Sequence, residues 1–313
     1  GGSHSRTFLV FVAPIPGPPY AAPRVFQAQN QPVAVATGHF DQDGRVDMVS
    51  ANYASTTVSV LHQNATVAGH YNSPINHVAG SQPTDVAVAD LDGDGDDDIV
   101  VTLRGDDALA ILYQTSPGTF SRTTYPTGDN PAALAVGDVD GDGTPDVLVV
   151  SPTANTVTIH LASAGFAAGA TINVGAGSTD IALGYLDGDG ALDLATANAG
   201  ANTFSVSFGD GAGQFSAAGS WAADQTPSTV AIADVNSDGL ADLIAAAEGS
   251  DLVVIRHNTP GSPGTFQAKL TYPVGPAPRG LAIADIDGDG HVDIATAIPD
   301  EDKIELLWSD GVG

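Results

Sequence analysis

Asp90-Leu91-Asp92-Gly93-Asp94-Gly95-Asp96-Asp97-Asp98 is the stretch from which the rest of the chain can be read. A tight loop can turn the alternate carboxylates of Asp90, Asp92 and Asp94 toward one point, and Gly95 permits the bend. The backbone carbonyl of Asp96 and the carboxylate of Asp98 then complete a set of hard oxygen donors, of which Ca²⁺ takes about six to eight. Magnesium fits less well, because it keeps its waters and demands a stricter octahedron. An EF-hand loop starts the same way but needs Glu at its twelfth position and a helix on each side. The twelfth position here is Val101, and the flanks, Thr84–Ala89 and Ile99–Leu103, are short and rich in Val, Ala and Ile. Such runs predict buried strands, so the site is expected to be strand, loop, strand.

The same nine positions recur at His39–Asp47, Asp138–Asp146, Tyr185–Asp193, Asp234–Asp242 and Asp285–Asp293. Their third positions (Asp41, Asp92, Asp140, Asp187, Asn236, Asp287) are separated by 51, 48, 47, 49 and 51 residues. A period of about fifty residues points to propeller blades, each a four-stranded sheet. A proline and a strand of alternating large and small residues precede most copies, as in Pro83 with Val86-Ala87-Val88-Ala89 and Pro227 with Val230-Ala231-Ile232-Ala233. That alternation suits the innermost strand, where neighbouring blades crowd toward the axis. A second apolar strand follows each loop, then a turn and a third strand such as Thr57–His62, Thr156–Leu161 or Leu252–His257. Gly118-Thr-Phe120, Gly213-Gln-Phe215 and Gly264-Thr-Phe266 are expected to open fourth strands.

These repeats resemble FG-GAP/VCBS repeats, the calcium-binding blades of integrin α-subunit propellers and of many secreted proteins, among them adhesins and lectins. The resemblance covers roughly residues 24–313. It implies an all-β propeller with a calcium loop between the first and second strands of each blade, and it leaves function open. Six blades are favoured, with a seventh, degenerate blade or truncation from a longer protein as the alternatives.

The expected metal ligands are Asp41, Asp43 and Asp47 in the first loop and Asp90, Asp92, Asp94, Asp96 and Asp98 in the second. The third offers Asp138, Asp140, Asp142, Thr144 and Asp146, and the fourth Asp187, Asp189, Ala191 and Asp193. The fifth offers Asp234, Asn236, Asp238, Leu240 and Asp242, and the sixth Asp285, Asp287, Asp289, His291 and Asp293. Residues at position seven enter through their carbonyls. Loops two, three and six are complete and rank strongest; Asn236 costs the fifth a charge. His39 and Tyr185 at position one fit an oxygen cage poorly, so the first and fourth loops should bind more weakly. Four to six Ca²⁺ per chain are therefore expected.

Most of the acidity is explained by these loops: they hold 21 aspartates at positions one, three, five and nine, in a chain of net charge −28 with only nine Lys and Arg. That balance argues against nucleic-acid or anionic-membrane partners. The chain has no cysteine to testify to an oxidising compartment. Calcium makes the case instead, since sites of this kind in extracellular modules have dissociation constants on the order of 10⁻⁴–10⁻³ M. A secreted or cell-surface protein without membrane insertion is expected.

Gly1-Gly-Ser-His4 reads as a tag remnant, and residues 1–23 as that remnant with a linker or an extra strand at Thr7–Val12. Residues 24–313 form one propeller domain in this reading. Its sixth blade ends after a third strand, Lys303–Trp308, and Arg24–Gln29 is the expected closing fourth strand. No nucleophile elbow, phosphate-binding loop or zinc-protease helix is present, and the three Glu residues leave few acids outside the loops. His62, His160 and His257 fall in third strands and are expected to pack rather than react. Arg104-Gly-Asp106 is read as an ordinary turn, and Asn64-Ala-Thr66 is the one N-glycosylation sequon.

A non-catalytic binding module is therefore expected, with a carbohydrate or extracellular protein as ligand on the face opposite the calcium loops. Candidate contacts there are Asn52, Tyr53, Arg104, Asn155, Asn198, Gln225 and Arg279. The alternatives are a lectin with repeated glycan sites between blades and the propeller domain of a polysaccharide-degrading enzyme. Trp221 and Trp308 would favour sugar stacking if exposed on the ligand face and core packing if buried.

Overall fold

The structure, a computed structural model, describes residues 25–67 and 69–311. Its strands fall into six antiparallel sheets, each in chain order from the inside outward. Blade one holds β1 (Pro32–Gly38), β2 (Asp47–Asn52), β3 (Thr57–Leu61) and β4 (Ile75–Val78). Blade two holds β5 (Pro83–Ala89), β6 (Asp98–Leu103), β7 (Ala108–Ser116) and β8 (Thr119–Pro126). Blade three holds β9 (Ala133–Gly137), β10 (Asp146–Ser151), β11 (Thr156–His160) and β12 (Ala168–Asn173). Blade four holds β13 (Ser178–Gly184), β14 (Asp193–Asn198), β15 (Thr203–Gly209) and β16 (Phe215–Ala222). Blade five holds β17 (Pro227–Ala233), β18 (Asp242–Ala247), β19 (Leu252–Arg256) and β20 (Leu270–Pro273). Blade six has β21 (Arg279–Ala284), β22 (Asp293–Ile298) and β23 (Lys303–Leu307) and, among the described residues, no fourth strand.

The period-two alternation sorts side chains between the two faces of every sheet. The face toward the following blade carries small residues on the inner strand and larger ones beyond: Ala87 and Ala89, then Val100, Leu109 and Ile111 in blade two. The face toward the preceding blade is the larger one on its inner strand, with Val86 and Val88 beside Ile99 and Val101. Thus Ala34, Ala36, Val49 and Val58 of blade one meet Val86, Ile99 and Leu112 of blade two in one apolar cluster. The pattern repeats down to Ala231, Ala233, Ile244 and Ile255 of blade five against Leu281, Ile283 and Ile294 of blade six. Second strands are sandwiched on both sides; β2, β6, β10, β14 and β18 are buried along their whole length.

Polar contacts stitch the inner strands together. Thr84, Thr179 and Ser228 donate hydroxyl hydrogen bonds to the Pro131, Pro227 and Pro278 carbonyls of the next blade at 3.0–3.1 Å. Asp85 accepts the Leu134 N–H at 2.9 Å, and Asp180 accepts from the Thr229 hydroxyl (2.6 Å) and the Val230 N–H (2.9 Å). Burial, aided by the charge of Asp180, pushes the Asp85 carboxyl up to about 7 against the opposing amide bonds.

Two expectations change. Residues 25–28 form no strand, so the assignment of Arg24–Gln29 as the closing strand of blade six fails over its described part; Thr7–Val12 lies outside the described residues. The Gly-x-Phe element does open β8 and β16, but Phe266 makes only an isolated bridge to Asn258, and β20 starts at Leu270.

Because Asp85 ionises less readily folded than unfolded, it favours the fold below an unfolded pKa of about 3.9, and that contribution fades as pH rises through about 7. The destabilisation caused by Asp85→Ala, measured by urea unfolding in chelator, should therefore be larger at acid pH than at mildly alkaline pH, by about 4 kcal/mol. A difference independent of pH would show that Asp85 ionises normally.

Candidate metal centres

Each nine-residue loop joins the first two strands of its blade, so all six project from one face. Within a loop the short aspartate side chains cap nearby backbone amides. Asp92 accepts the N–H of Asp94 at 3.2 Å, Asp94 that of Asp96 at 2.9 Å, and Asp90 those of Gly93 and Gly95 at 2.8 and 3.0 Å. Loops three and six repeat the arrangement through Asp138, Asp140, Asp142 and through Asp285, Asp287, Asp289. Gly95 has a φ of 91°, which an L side chain rarely adopts.

These turns bring carboxylates into metal-binding proximity. Ligand atoms of Asp90, Asp92 and Asp94 lie within 4.8 Å of one another, as do those of Asp138, Asp140 and Asp146 and of Asp285, Asp287 and Asp289. These are the three loops ranked strongest by sequence. Hard, convergent oxygens of this kind fit Ca²⁺. The first loop gathers a different set, Asp41, Asp47 and His62. Asp43 is instead bound by Arg45, whose backbone N–H and guanidinium together hold its carboxyl below the usual range. No such triad forms in the fourth or fifth loop among the described residues; Tyr185 at position one points into solvent, 59% exposed. Position-seven residues Asp96, Thr144, Ala191, Leu240 and His291 donate their N–H groups to position five, at 2.7–2.9 Å.

Position nine does something the sequence reading did not assign. Asp47, Asp98, Asp146, Asp193, Asp242 and Asp293 are all fully buried. One oxygen of each accepts the N–H of position two, as Leu91 donates to Asp98 at 3.0 Å and Leu186 to Asp193 at 2.6 Å. The other accepts an N–H from the end of the third strand, sixteen residues onward: Gln63, Gln114, Ala162, Gly209, Asn258 and Ser309, at 2.7–3.0 Å. Burial first, then the like charges of Asp92 and Asp94, pushes Asp98 up to about 6 in spite of these amides. The constant spacing of sixteen was present in the sequence, but a backbone donor leaves no residue type to notice.

The next blade buttresses the loop. Gly118 donates to the Phe40 carbonyl at 2.6 Å and Gly213 to that of Val139 at 3.0 Å. In blade five the Asn258 side chain donates to the Leu186 carbonyl at 2.7 Å. A Cβ on Gly264 would lie 2.5 Å from the ring of Phe208, which explains the glycine. His62 and His257 bond Asp47 and Asp242 through Nδ1 at 3.0 Å, and His160 bonds the Phe166 carbonyl at 2.9 Å.

The opposite face divides the predicted ligand contacts. Asn52 and Asn198 are fully buried, and their amides are spent on Thr57, Ser59, Thr203, Ser205 and Ser178. Asn155 sits in a turn with positive φ and accepts the Gly177 N–H. Tyr53 is half-buried; Arg104, Gln225 and Arg279 are exposed, with Arg279 paired to Glu248 and Arg104 3.4 Å from Asn130. Asp106 accepts the Ser81 N–H at 2.7 Å, which makes the Arg-Gly-Asp tripeptide part of a structural turn. Trp221 stacks edge-on against Phe266, and Trp308 is 56% exposed. A cavity that the sequence did not suggest, of about 460 Å³, opens on the loop face between blades two and three. Leu91, Tyr113 and Phe166 form its apolar wall, with Asp92, Asp142 and Ser163 beside them.

An FG-GAP-like repeat signature matches residues 39–101, 91–149, 185–245 and 234–296. The chain belongs to the FG-GAP-like repeat family. No curated protein sequence matches it. Among solved structures, a putative 6-phosphogluconolactonase from Bacteroides uniformis is similar with TM-score 0.68 and 17% identity, over 91% of this chain and 82% of that one. The periplasmic gluconolactonase PpgL of Pseudomonas aeruginosa gives 0.59 and 19%, over 82% and 73%. The biofilm matrix protein Bap1 of V. cholerae gives 0.51 and 15%, over 82% of this chain and 42% of that one. At these identities the likeness is one of fold. Among the described residues no helix of this FG-GAP-like propeller is long and apolar enough to cross a membrane.

Two outcomes are expected in denaturant titrations. Asp98→Ala should cost on the order of 3 kcal/mol with calcium and with chelator alike, because it strips two buried amides of their acceptor. Asp92→Ala should matter mainly with calcium. Asp92→Ala and Asp140→Ala should also each cost more than Asp187→Ala in calcium, and equal losses at all three would contradict the ranking of the loops.

Proposed function

We propose that this propeller is a calcium-stabilised extracellular binding module without catalysis of its own, recognising a carbohydrate or a protein partner. The observation that carries the reading is the convergence of carboxylates in loops two, three and six, all on one face. Calcium there offsets the mutual repulsion of the acids and locks the strand connections, so its binding free energy adds to folding. Weak sites of this type fill where calcium is millimolar, which supports an extracellular location.

Two surfaces suit a ligand. Tyr53, Arg104, Gln225 and Arg279 offer planar and cationic groups on the face opposite the loops. The cavity beside Tyr113 and Phe166 sets an apolar wall and the Ser163 hydroxyl next to the candidate calcium ligands Asp92 and Asp142, which suits a sugar, and it favours the lectin alternative at one interblade position.

The deciding experiment is thermal unfolding with calcium and with excess chelator, with metal analysis and a glycan array on the calcium-loaded protein. Four to six calcium per chain, a large drop in Tm on chelation and glycan or single-partner capture are expected. Calcium-independent stability would remove the structural role of the metal, and hydrolysis of a gluconolactone by the purified chain would overturn the non-catalytic reading.

A further inference from the structure

The first loop has turned two of the positions that would ligate calcium to other partners. Position one is His39, whose backbone N–H and ring Nδ1 both approach Asp97 of the second loop, at 2.7 and 3.4 Å. Position five is Asp43, whose carboxylate is held by the backbone N–H and the guanidinium of Arg45, at 2.8 and 2.6 Å. Positions three and nine, Asp41 and Asp47, still bring ligand atoms within 4.8 Å of each other.

An imidazole joins them. His62, directly after β3, places Nδ1 3.0 Å from Oδ2 of Asp47 and 3.5 Å from Oδ2 of Asp41. Bonds of about 2.0–2.2 Å set the donors of a tetrahedral Zn²⁺ about 3.4 Å apart, so these separations suit an ion among the three atoms. Asp47 is fixed in advance, because its two oxygens accept the N–H groups of Phe40 and Gln63 at 3.0 and 2.7 Å. Blade two backs the ring: a Cβ on Gly118 would lie 3.5 Å from His62 Nε2, and the Gly118 N–H donates to the Phe40 carbonyl. The side chains of Asp47 and His62 are 0% and 11% exposed and that of Asp41 is 30% exposed, so an ion can enter past Asp41.

Blade five shows what the imidazole does without that third donor. His257 also stands fifteen residues after position nine, and its Nδ1 meets Asp242 at the same 3.0 Å. Position three there is Asn236, whose amide donates to Asp238, and no triad forms in that loop among the described residues. The imidazole–carboxylate pair is thus shared by two blades, and in blade one a second carboxylate completes a donor set.

One imidazole and two carboxylates favour a different ion from the other loops. Ca²⁺ seeks about six to eight oxygens, whereas imidazole suits Zn²⁺ and its first-row neighbours, and Zn²⁺ accepts three protein donors with a water in the fourth position. We propose that Asp41, Asp47 and His62 form a transition-metal site of the Zn²⁺ class in blade one, separate from the candidate calcium loops and independent of whether those loops fill.

Metal titration of the chelator-stripped chain tests this, with Zn²⁺ added in saturating calcium and followed by calorimetry, and Co²⁺ added in its place and followed by visible absorption. One Zn²⁺ per chain should bind despite the calcium, and Co²⁺ should give the intense bands of a four-coordinate ion. Asp41→Asn keeps the oxygen that accepts the Asp43 N–H and leaves the Asp47–His62 contact in place, so its unfolding in chelator should match the wild type. Its Zn²⁺ affinity should nevertheless fall by more than the roughly tenfold that loss of an outer-shell partner costs, and His62→Gln should weaken Zn²⁺ in the same way. Asp92→Asn should weaken calcium binding and leave the Zn²⁺ untouched. Displacement of the Zn²⁺ by calcium would return the loop to the calcium set and overturn the proposal. Zn²⁺ binding that is unchanged in both Asp41→Asn and His62→Gln would put the ion elsewhere, and no binding at all would leave His62 as a hydrogen-bond partner of Asp47; either result overturns it too.

Discussion

A buried carboxylate that grips two backbone amides holds each blade in shape. The position-nine aspartate closes its own loop through position two and ties the second strand to the end of the third, sixteen residues onward. Charge-assisted bonds of this kind are about twice as strong as neutral ones. They are repeated six times with the same partners, so strand register and loop shape are set together. A slip of one residue between the second and third strands would expose an alternating apolar face and orphan a buried charge at the same time.

The candidate metal sites are built on that staple rather than apart from it. With position nine anchored, the Asx turns of loops two, three and six close toward one point, and the acids there meet without a metal to gather them. The amides partly compensate the crowding, but burial and like charges still push Asp92, Asp98 and Asp146 upward. The loop is thus shaped in advance and left short of positive charge, which a divalent oxygen-seeking ion would supply. Since the following blade donates hydrogen bonds to carbonyls at position two, order gained in one loop is passed to the next sheet.

Much of this was legible because the repeat spells it. Asp-x-Asp-x-Asp-Gly with its period of about fifty carried the fold, and the alternation Val86-Ala87-Val88-Ala89 carried the inner strands, since side-chain size there answers directly to the packing of neighbouring blades. The backbone role of position nine was not legible, because a metal ligand and a backbone acceptor want the same carboxylate. Asn52 and Asn198 looked like ligand contacts because amides populate turns; their burial follows from sandwiched second strands that turn polar only at their last residue. The cavity between blades two and three had no signal at all. It joins Asp92 to Phe166 across two sheets, and only the angle between blades brings them together.

The two faces of a blade are not interchangeable, and this asymmetry governs how the ring can close. Small inner-strand residues on one face accept larger ones from the next blade, as Ala231 and Ala233 do with Leu281 and Ile283. Every blade therefore needs a follower of its own kind, and the last one exposes Ile304 and Leu306 unless something of that kind covers them. Uncovered apolar area costs about 25 cal/mol for each Å² left in water, and an unpaired edge at β23 invites another strand. Both pressures favour a covering element with two apolar faces.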